Sequence, residues 1–220
     1  MAVLQWDKVG EREYETGVKK GVLYPYGDNG YGKGVAWNGL ISVTESPSGA
    51  EANKIYADDI VYATLQSNEE FGGTIEAYMS PPEFDQCDGT AEIAKGVHAG
   101  QQTRKMFGFC YRTIIGNDEK NEDYAYKLHI VYGAKANPTE KQYSSINDSP
   151  EAATLSWEFT TTPVSVPGFK PTALITIDST KADKSKLSEL EAKLYGTLSE
   201  EPSLPMPSEI ITMMGAVAAG

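Results

Sequence analysis

From Val35 onward the chain is a series of short apolar or alternating segments separated by Gly, Pro, Asn and Asp. Segments of this length and spacing are typical of the strands of an all-β sandwich or barrel. A length of 220 residues suits one large β domain with appendages. We therefore predict a mainly β fold, a β-sandwich or half-barrel. Its strands are predicted near 35–43, 57–66, 70–79, 105–115, 124–134, 154–162 and 172–177.

One later segment has helical spacing instead. Leu187, Leu190 and Leu194 recur three and four residues apart, and Gly196 follows them. This pattern predicts one α-helix over 181–195, with a single apolar face that packs on the flank of the sheet.

Three segments lack a regular period. Residues 1–34 are rich in Gly and Tyr and are predicted to form an N-terminal arm, followed by the β domain over 35–196. Three prolines in six residues prevent a helix, so 197–220 is predicted to be a Pro-rich C-terminal tail. The loop 44–56 is long enough to reach a neighbouring molecule. We expect the N-terminal arm and this loop to make contacts between subunits.

The charge of the chain limits its partners. Its formal net charge is −12, whereas a protein that binds DNA tightly neutralises phosphates with Lys and Arg. Residues 45–95 contain eleven acidic and two basic residues, which is either a solvated face or a surface that repels a polyanion. No run approaches the ~20 apolar residues of a membrane helix, so we expect no membrane partner. The opening sequence MAVLQWDKVGERE lacks an apolar stretch of signal-peptide length, which favours cytoplasmic synthesis.

No motif in the sequence supports catalysis, a cofactor or a metal ion. Residues 27–33 fit G-x-x-x-x-G-K, but Gly34 stands where a hydroxyl would bind Mg²⁺, and a strand pattern follows instead of a helix. Residues 117–123 lack the glycine and the final glutamate of a calcium loop, so they predict a hairpin loop. The two histidines and two cysteines do not have the sequence spacing that is typical of metal ligands. They are His98, His129, Cys87 and Cys110. We therefore expect no enzymatic activity, no cofactor and no bound metal.

Seven segments of the chain resemble a known family in sequence and in order. They are QWDKVGEREYETGV near the start, YGKGVAWNGL at 31–40, ESPSGAE at 45–51, EEFGGTIEAYMSPPEFDQCDG at 69–89, FGFCYRTIIGND at 107–118, INDSPEA at 146–152 and TTTPV at 160–164. The family is that of the major tail (tail tube) proteins of long-tailed bacteriophages and prophages of Gram-positive bacteria. The resemblance extends from residue 6 to about residue 210 and contains no catalytic signature.

The resemblance implies a structural protein of the virion tail that is synthesised in the cytoplasm of the host bacterium. Six such subunits form a ring, rings stack into a tube, and DNA leaves the capsid through its lumen. The implied partners are further copies of the chain, the tape-measure and tail-terminator proteins, and DNA that passes without sticking. An acidic subunit suits such a conduit, since DNA adheres to basic walls.

Strand alternation yields candidates for the wall of that lumen. If 57–79 forms a hairpin, one polar face of it can line the channel while the apolar side chains point into the sandwich. The candidate lumen-facing residues are Thr64, Gln66, Glu70, Thr74 and Glu76. Those predicted to point inward are Val61, Leu65, Phe71, Ile75 and Met79.

Two other classes of function are compatible with the sequence. Thirteen tyrosines and three tryptophans are compatible with a monomeric β-sandwich binding module. Its ligands could be carbohydrates, which stack on aromatic rings. However, Trp157 shares a strand face with Leu155 and Phe159, which is typical of a core residue. A hydrolase that uses the acidic pairs at 58–59 or 85–88 is the third interpretation.

Overall fold

Long antiparallel strands dominate the structure, a computed structural model that describes residues 3–146 and 152–215. Strands account for 47% of the chain and helices for 13%, which confirms the predicted mainly β fold. The strands are β1 (Glu13–Gly27), β2 (Gly30–Tyr31), β3 (Val35–Trp37), β4 (Leu40–Glu45), β5 (Ser48–Gly49), β6 (Ala52–Ala57), β7 (Ile60–Gln66), β8 (Glu69–Glu70), β9 (Gly72–Ala77), β10 (Ala91–Ala94), β11 (Val97–Ala99), β12 (Phe107–Asn117), β13 (Asn121–Ala136), β14 (Leu155–Thr161) and β15 (Leu174–Asp178). The helices are α1 (Asp85–Asp88), α2 (Lys184–Tyr195) and α3 (Pro207–Met214).

A nine-stranded antiparallel sheet contains most of these strands. Its path runs β2–β1–β12–β13–β14–β9–β4, with β3 beside β1 and β15 beside β13. The central hairpin is formed by β12 and β13, which are joined at residues 118–120 because Asn117 pairs with Asn121. The polar stretch at 117–123 is therefore a hairpin connection, as its sequence predicts.

The two ends of the sheet path meet at the turn between β3 and β4. Gly39 in this turn has a φ of 73°, a conformation that favours glycine. Because β3 pairs with β1 while β4 pairs with β9, the turn joins opposite ends of the path. The sheet therefore curls around an inner core. This core includes Leu23, Trp37, Ile75, Phe84, Phe107, Phe109, Val131, Trp157 and Phe159.

Helix α2 covers the outer side of β12 and β13. Leu187, Leu190 and Leu194 are buried there, as their helical spacing predicts. The Tyr24 hydroxyl donates a hydrogen bond of 2.7 Å to the carbonyl of Leu194, which fixes the end of the helix to β1.

The helix begins at Lys184, later than the predicted start at 181. Asp183 is the N-cap, and its carboxylate accepts hydrogen bonds of 2.9 and 3.1 Å from the N–H groups of Ser185 and Lys186. An aspartate in this position satisfies two of the free N–H groups of the first turn, so the cap sets the start of the helix.

The segment after α2 packs on the same side of the sheet. Leu204 and Ile210 are buried in the outer core with the α2 leucines. The Tyr132 hydroxyl on β13 donates a hydrogen bond of 2.8 Å to the carbonyl of Pro205. Residues 204–214 therefore pack on the domain and contribute Leu204 and Ile210 to its outer core.

The prediction that 197–220 is a separate tail is thus wrong for most of this segment. The prolines do prevent a helix directly after α2, but Pro207 is the first residue of α3. At this position a helix makes no hydrogen bond through the backbone N–H, so the missing N–H of proline breaks none. Residues 216–220 of the predicted tail lie outside the described residues.

The predicted N-terminal arm at 1–34 is also wrong for residues 13–27. This stretch is β1, which pairs with β12 along almost its full length. Register shifts near Gly17 and Lys20, both with positive φ, interrupt its alternation. The irregular period in the sequence comes from these bulges. The Gly-rich stretch that follows is a tight hairpin in which Tyr26 pairs with Tyr31.

We predict that Leu190→Ala lowers the free energy of unfolding by about 2–5 kcal/mol, because Leu190 is fully buried and its truncation leaves a cavity between α2 and the sheet. Urea denaturation followed by circular dichroism measures this change. Glu189→Ala, at the exposed neighbouring position, is the matched control and should change stability by less than about 0.5 kcal/mol. An equal loss in both variants would contradict the packing described here.

Candidate functional surfaces

A two-stranded ribbon extends from the sheet between β4 and β9. We define the ribbon as residues 46–71; in it β5 pairs with β8 and β6 pairs with β7. Asp58 and Asp59 form the turn at its tip, with φ values of 49° and 61°. Positive φ at both central positions is typical of the two-residue turns that match the twist of a hairpin.

The ribbon exposes large apolar side chains along its length. They are Ile55, Tyr56, Ile60, Val61, Tyr62 and Leu65, with exposures of 40% to 74%. An isolated two-stranded ribbon is at best marginally stable in water, and apolar surface concentrated on one element marks an interaction site. The ribbon is therefore the main candidate interaction surface.

Both faces of the ribbon carry large apolar side chains, because Val61 and Leu65 lie on one face of β7 and Ile60 and Tyr62 on the other. By register Asn53 lies opposite Leu65 and Ile55 opposite Ala63, whereas Lys54 lies opposite Thr64 on the other face. Within the described chain β6 and β7 pair only with each other. Each outer edge therefore offers free N–H and C=O groups to a further strand.

A polar face covers the adjacent part of the sheet, where β4, β9 and β14 lie side by side. The cross-strand partners on it are mostly hydroxyl-bearing or acidic, and we name it the hydroxyl face. It contains Ser42, Thr44, Thr74, Glu76, Ser156, Glu158 and Thr160. Ser42 donates a hydrogen bond of 2.7 Å to Glu76, and Lys135 on β13 pairs with Thr160 at its border.

The five candidate lumen residues divide between these two surfaces. Thr64 and Gln66 lie on one face of the ribbon, Glu70 lies at its base, and Thr74 and Glu76 lie on the hydroxyl face. Whether any of them faces a lumen stays a prediction.

The hairpin predicted over 57–79 is wrong. Strand β7 pairs with β6, and β9 pairs with β4 and β14. The reason is local: Asp58 and Asp59 turn the chain before β7, and the preceding stretch, predicted as a loop at 44–56, supplies β6. The signal was a pair of aspartates, which tolerate positive φ, between two strand-like segments.

The side chains predicted to point inward also divide. Ile75 is fully buried, Phe71 is partly buried, and Val61, Leu65 and Met79 are 47–69% exposed. Sequence alternation therefore identified an apolar face on the ribbon but assigned it to the interior of the subunit.

The N-terminal segment is a second exposed apolar element. Val3, Leu4, Trp6 and Val9 are 70–85% exposed. The segment is tied to the central hairpin where the N–H of Gly10 donates a hydrogen bond of 2.9 Å to Asp118. It therefore leaves the domain next to the β12–β13 loop.

The cysteines are distributed over both core layers. Cys87 lies in the inner core and Cys110 in the outer core. Burial raises the pKa of each thiol to about 12, so both are protonated at neutral pH. His98 lies near Asp85, with 3.4 Å between Nδ1 and the carboxylate, on an exposed part of the surface.

The glycine-rich 27–33 stretch forms a short hairpin and the residues that follow it. Gly27 pairs with Gly30 across its turn, and Lys33 forms an ion pair of 2.6 Å with Glu201. Within residues 3–146 and 152–215 no group of three or more His, Cys, Asp or Glu side chains is placed to hold a metal ion. The described helices include none that is long and apolar enough to cross a membrane.

Compared with protein-family models and with curated proteins, the chain matches none of them.

We predict that amide hydrogens of β6 and β7 exchange much faster than those of β12, because the ribbon has open edges and β12 is buried between two partners. Hydrogen exchange of the dilute chain, followed by mass spectrometry, tests this. Slow exchange in the ribbon under dilute conditions would mean that it is already covered by its own domain.

Proposed function

We propose that the chain is the subunit of a phage tail tube, which assembles into stacked hexameric rings and conducts DNA. The observation that carries the proposal is the exposed ribbon: a folded domain with two filled core layers carries six large apolar side chains on an element outside both. The segments that resemble tail tube proteins support the same assignment.

Contact between subunits buries the exposed apolar side chains of the ribbon, and this burial favours assembly. Burial of one large apolar side chain contributes roughly 1.5–3 kcal/mol, so several ribbon side chains together can offset the cost of ordering the subunits. Copies of one chain joined head to tail form a ring when the rotation closes. The ribbon of each subunit then lies on its neighbour.

The hydroxyl face suits a wall along which DNA moves. Its short hydroxyl side chains and carboxylates offer DNA no row of positive charges to hold. Glu76 and Glu158 lie on this face, and Lys135 lies only at its border. We therefore assign Thr74 and Glu76 to the lumen side, with Ser156 and Glu158 beside them.

The carbohydrate-binding module is the less favoured alternative. Two of its potential stacking rings, Trp37 and Trp157, are buried against each other with 5.4 Å between ring centroids. They leave no platform for a sugar on that part of the sheet.

We predict that Leu65→Lys abolishes tube formation, whereas Thr64→Lys leaves it largely intact. Both add one positive charge at neighbouring exposed positions, but only Leu65→Lys removes a large exposed apolar side chain. Negative-stain electron microscopy and light scattering of the purified chains measure assembly, and circular dichroism verifies the fold. Equal assembly of both variants would show that the ribbon is not part of the interface between subunits. Monomers at all concentrations of the unaltered chain would contradict self-assembly.

We also predict that tubes of Glu76→Lys with Glu158→Lys retain DNA. A ring of lysines that faces the lumen holds phosphates, and salt weakens this attraction. Tubes assembled with short DNA are treated with nuclease, and the protected DNA is measured at low and high salt. The control is Glu189→Lys with Glu200→Lys, which makes the same charge change at exposed sites around α2. Equal protection in both would place the hydroxyl face outside the lumen.

A further inference from the structure

A second exposed apolar surface lies at the end of the sheet opposite to the ribbon. Because Glu45 pairs with Gly73, the ribbon leaves β4 and β9 at one end of this strand pair. At the other end β9 continues past Ala77 into Tyr78 and Met79, which are 53% and 69% exposed. At about 3.4 Å per residue, β9 separates the ribbon from these two side chains by roughly 20 Å.

The β10–β11 hairpin is attached at the same end as Tyr78 and Met79. Three successive antiparallel pairings connect β9 to β12, so the two strands run in opposite directions. The end of β9 and the start of β12 therefore lie at the same end of the sheet. The hairpin directly precedes β12, and it exposes Ile93 and Val97 by 69% and 50%.

Two contacts connect this hairpin to the chain that follows β9. The Trp37 indole donates a hydrogen bond of 2.9 Å to the carbonyl of Met79, and its ring lies 4.7 Å from that of Phe84. Phe84 is followed by Asp85, whose carboxylate lies 3.4 Å from Nδ1 of His98 on β11. Tyr78, Met79 and the hairpin thus belong to one continuous part of the domain.

We define the far-end surface as the exposed apolar side chains of this part together with two exposed lysines on the same segment of chain. It consists of Tyr78, Met79, Ile93, Lys95, Val97 and Lys105. Exposed apolar side chains grouped at one end of a domain mark an interaction site. Strands β10 and β11 of the described chain also pair only with each other, as β6 and β7 do.

The ribbon and the far-end surface carry complementary charges. The ribbon contains five acidic residues and one lysine, whereas the far-end surface contains two lysines and no acidic residue. Among the ion pairs of the described residues, none includes an acidic side chain of the ribbon, and none includes Lys95 or Lys105. These charges are therefore free to attract each other between two copies.

The other exposed apolar surfaces fit the ribbon less well. Two ribbons face to face would bring two acidic surfaces together, and like charges across an interface oppose association. The N-terminal segment lies at the ribbon end of the sheet, where Gly10 is bound to Asp118. A copy that offered this segment to a ribbon would also bring its own acidic ribbon to the contact.

We propose that the ribbon of one copy docks on the far-end surface of a second copy, so that successive copies follow one another head to tail. The apolar side chains of the two surfaces are then buried against each other, and the ribbon carboxylates lie near Lys95 and Lys105. Such a contact leaves one free ribbon and one free far-end surface, so further copies add by the same contact. Its place in a tube rests on the proposed function, whereas the contact itself does not.

Thiol cross-linking between copies tests this contact. Thr64→Cys on the ribbon, Ala94→Cys on the hairpin and Glu189→Cys on α2 each replace one exposed residue. The native cysteines are buried and protonated, so they do not compete for a thiol-specific cross-linker. We expect mixed Thr64→Cys and Ala94→Cys chains to form cross-linked pairs. One chain with both substitutions should give a ladder of multimers, and Thr64→Cys mixed with the Glu189→Cys control should give no pairs.

Other patterns of cross-linking would overturn the proposal. Thr64→Cys chains that link to one another would show that two ribbons meet. Links from Thr64→Cys to Gln5→Cys would show that the N-terminal segment covers the ribbon. The absence of a link between Thr64→Cys and Ala94→Cys at every protein concentration would show that the two surfaces do not meet. Circular dichroism verifies that each variant is folded.

Reversal of charge on the far-end surface tests the orientation of the contact. We expect Lys95→Glu with Lys105→Glu to slow association by about tenfold at low ionic strength, and high salt to remove most of this difference. The control is Lys181→Glu with Lys184→Glu, which makes the same charge change at exposed positions near the start of α2. Light scattering after a jump in protein concentration measures the rates. Equal rates for the two variants at low ionic strength would overturn the proposal.

The docking contact and the tube function fail in different ways. Cross-linked ladders from a chain that electron microscopy never shows as tubes would contradict the tube function alone. Tubes without a cross-link between Thr64→Cys and Ala94→Cys would contradict the docking contact alone.

Discussion

The burial of both faces of the β12–β13 hairpin is the constraint on which the rest of the structure depends. Phe109 and Val131 point to one side of it, and Cys110 and Ile130 point to the other. A sheet that is apolar on both sides needs two covering layers. One layer comes from the curl of the sheet, and the other comes from α2 and the segment up to α3.

This double covering leaves no room for the apolar side chains of the ribbon. Strands β4 and β9 contribute Ile75 and Ala77 to the inner core, and beyond Glu45 the chain has passed the edge of that core. The side chains that follow have no layer of their own domain to enter, so they remain exposed unless another molecule covers them. The strands that complete the fold therefore also carry the exposed apolar ribbon.

The acidic side chains of the ribbon and those at its root have different surroundings. Acidic side chains at the tip and base of the ribbon, Asp58, Asp59, Glu69 and Glu70, are exposed and solvated. At the root of the ribbon, Glu15 instead forms an ion pair with Lys127, and the carboxylate of Glu45 lies 2.9 Å from the ring of His129. Such partly buried pairs hold a fixed geometry because a carboxylate that lost its partner would remain desolvated. Beyond the root, β6 and β7 of the described chain pair only with each other and leave their large apolar side chains exposed.

The sequence by itself determined what depends on short-range patterns. Alternation predicted a mainly β fold, and the leucine spacing at 187, 190 and 194 predicted the helix and its buried face, because side-chain periodicity follows from local geometry. Only the tertiary structure decided which strands pair, since β1 owes its place to hydrogen bonds with β12, about 90 residues away in sequence. It also assigned Leu65 to a surface instead of the core and brought His129 between Glu15 and Glu45. No local pattern encodes such meetings, because they depend on how the whole sheet curls.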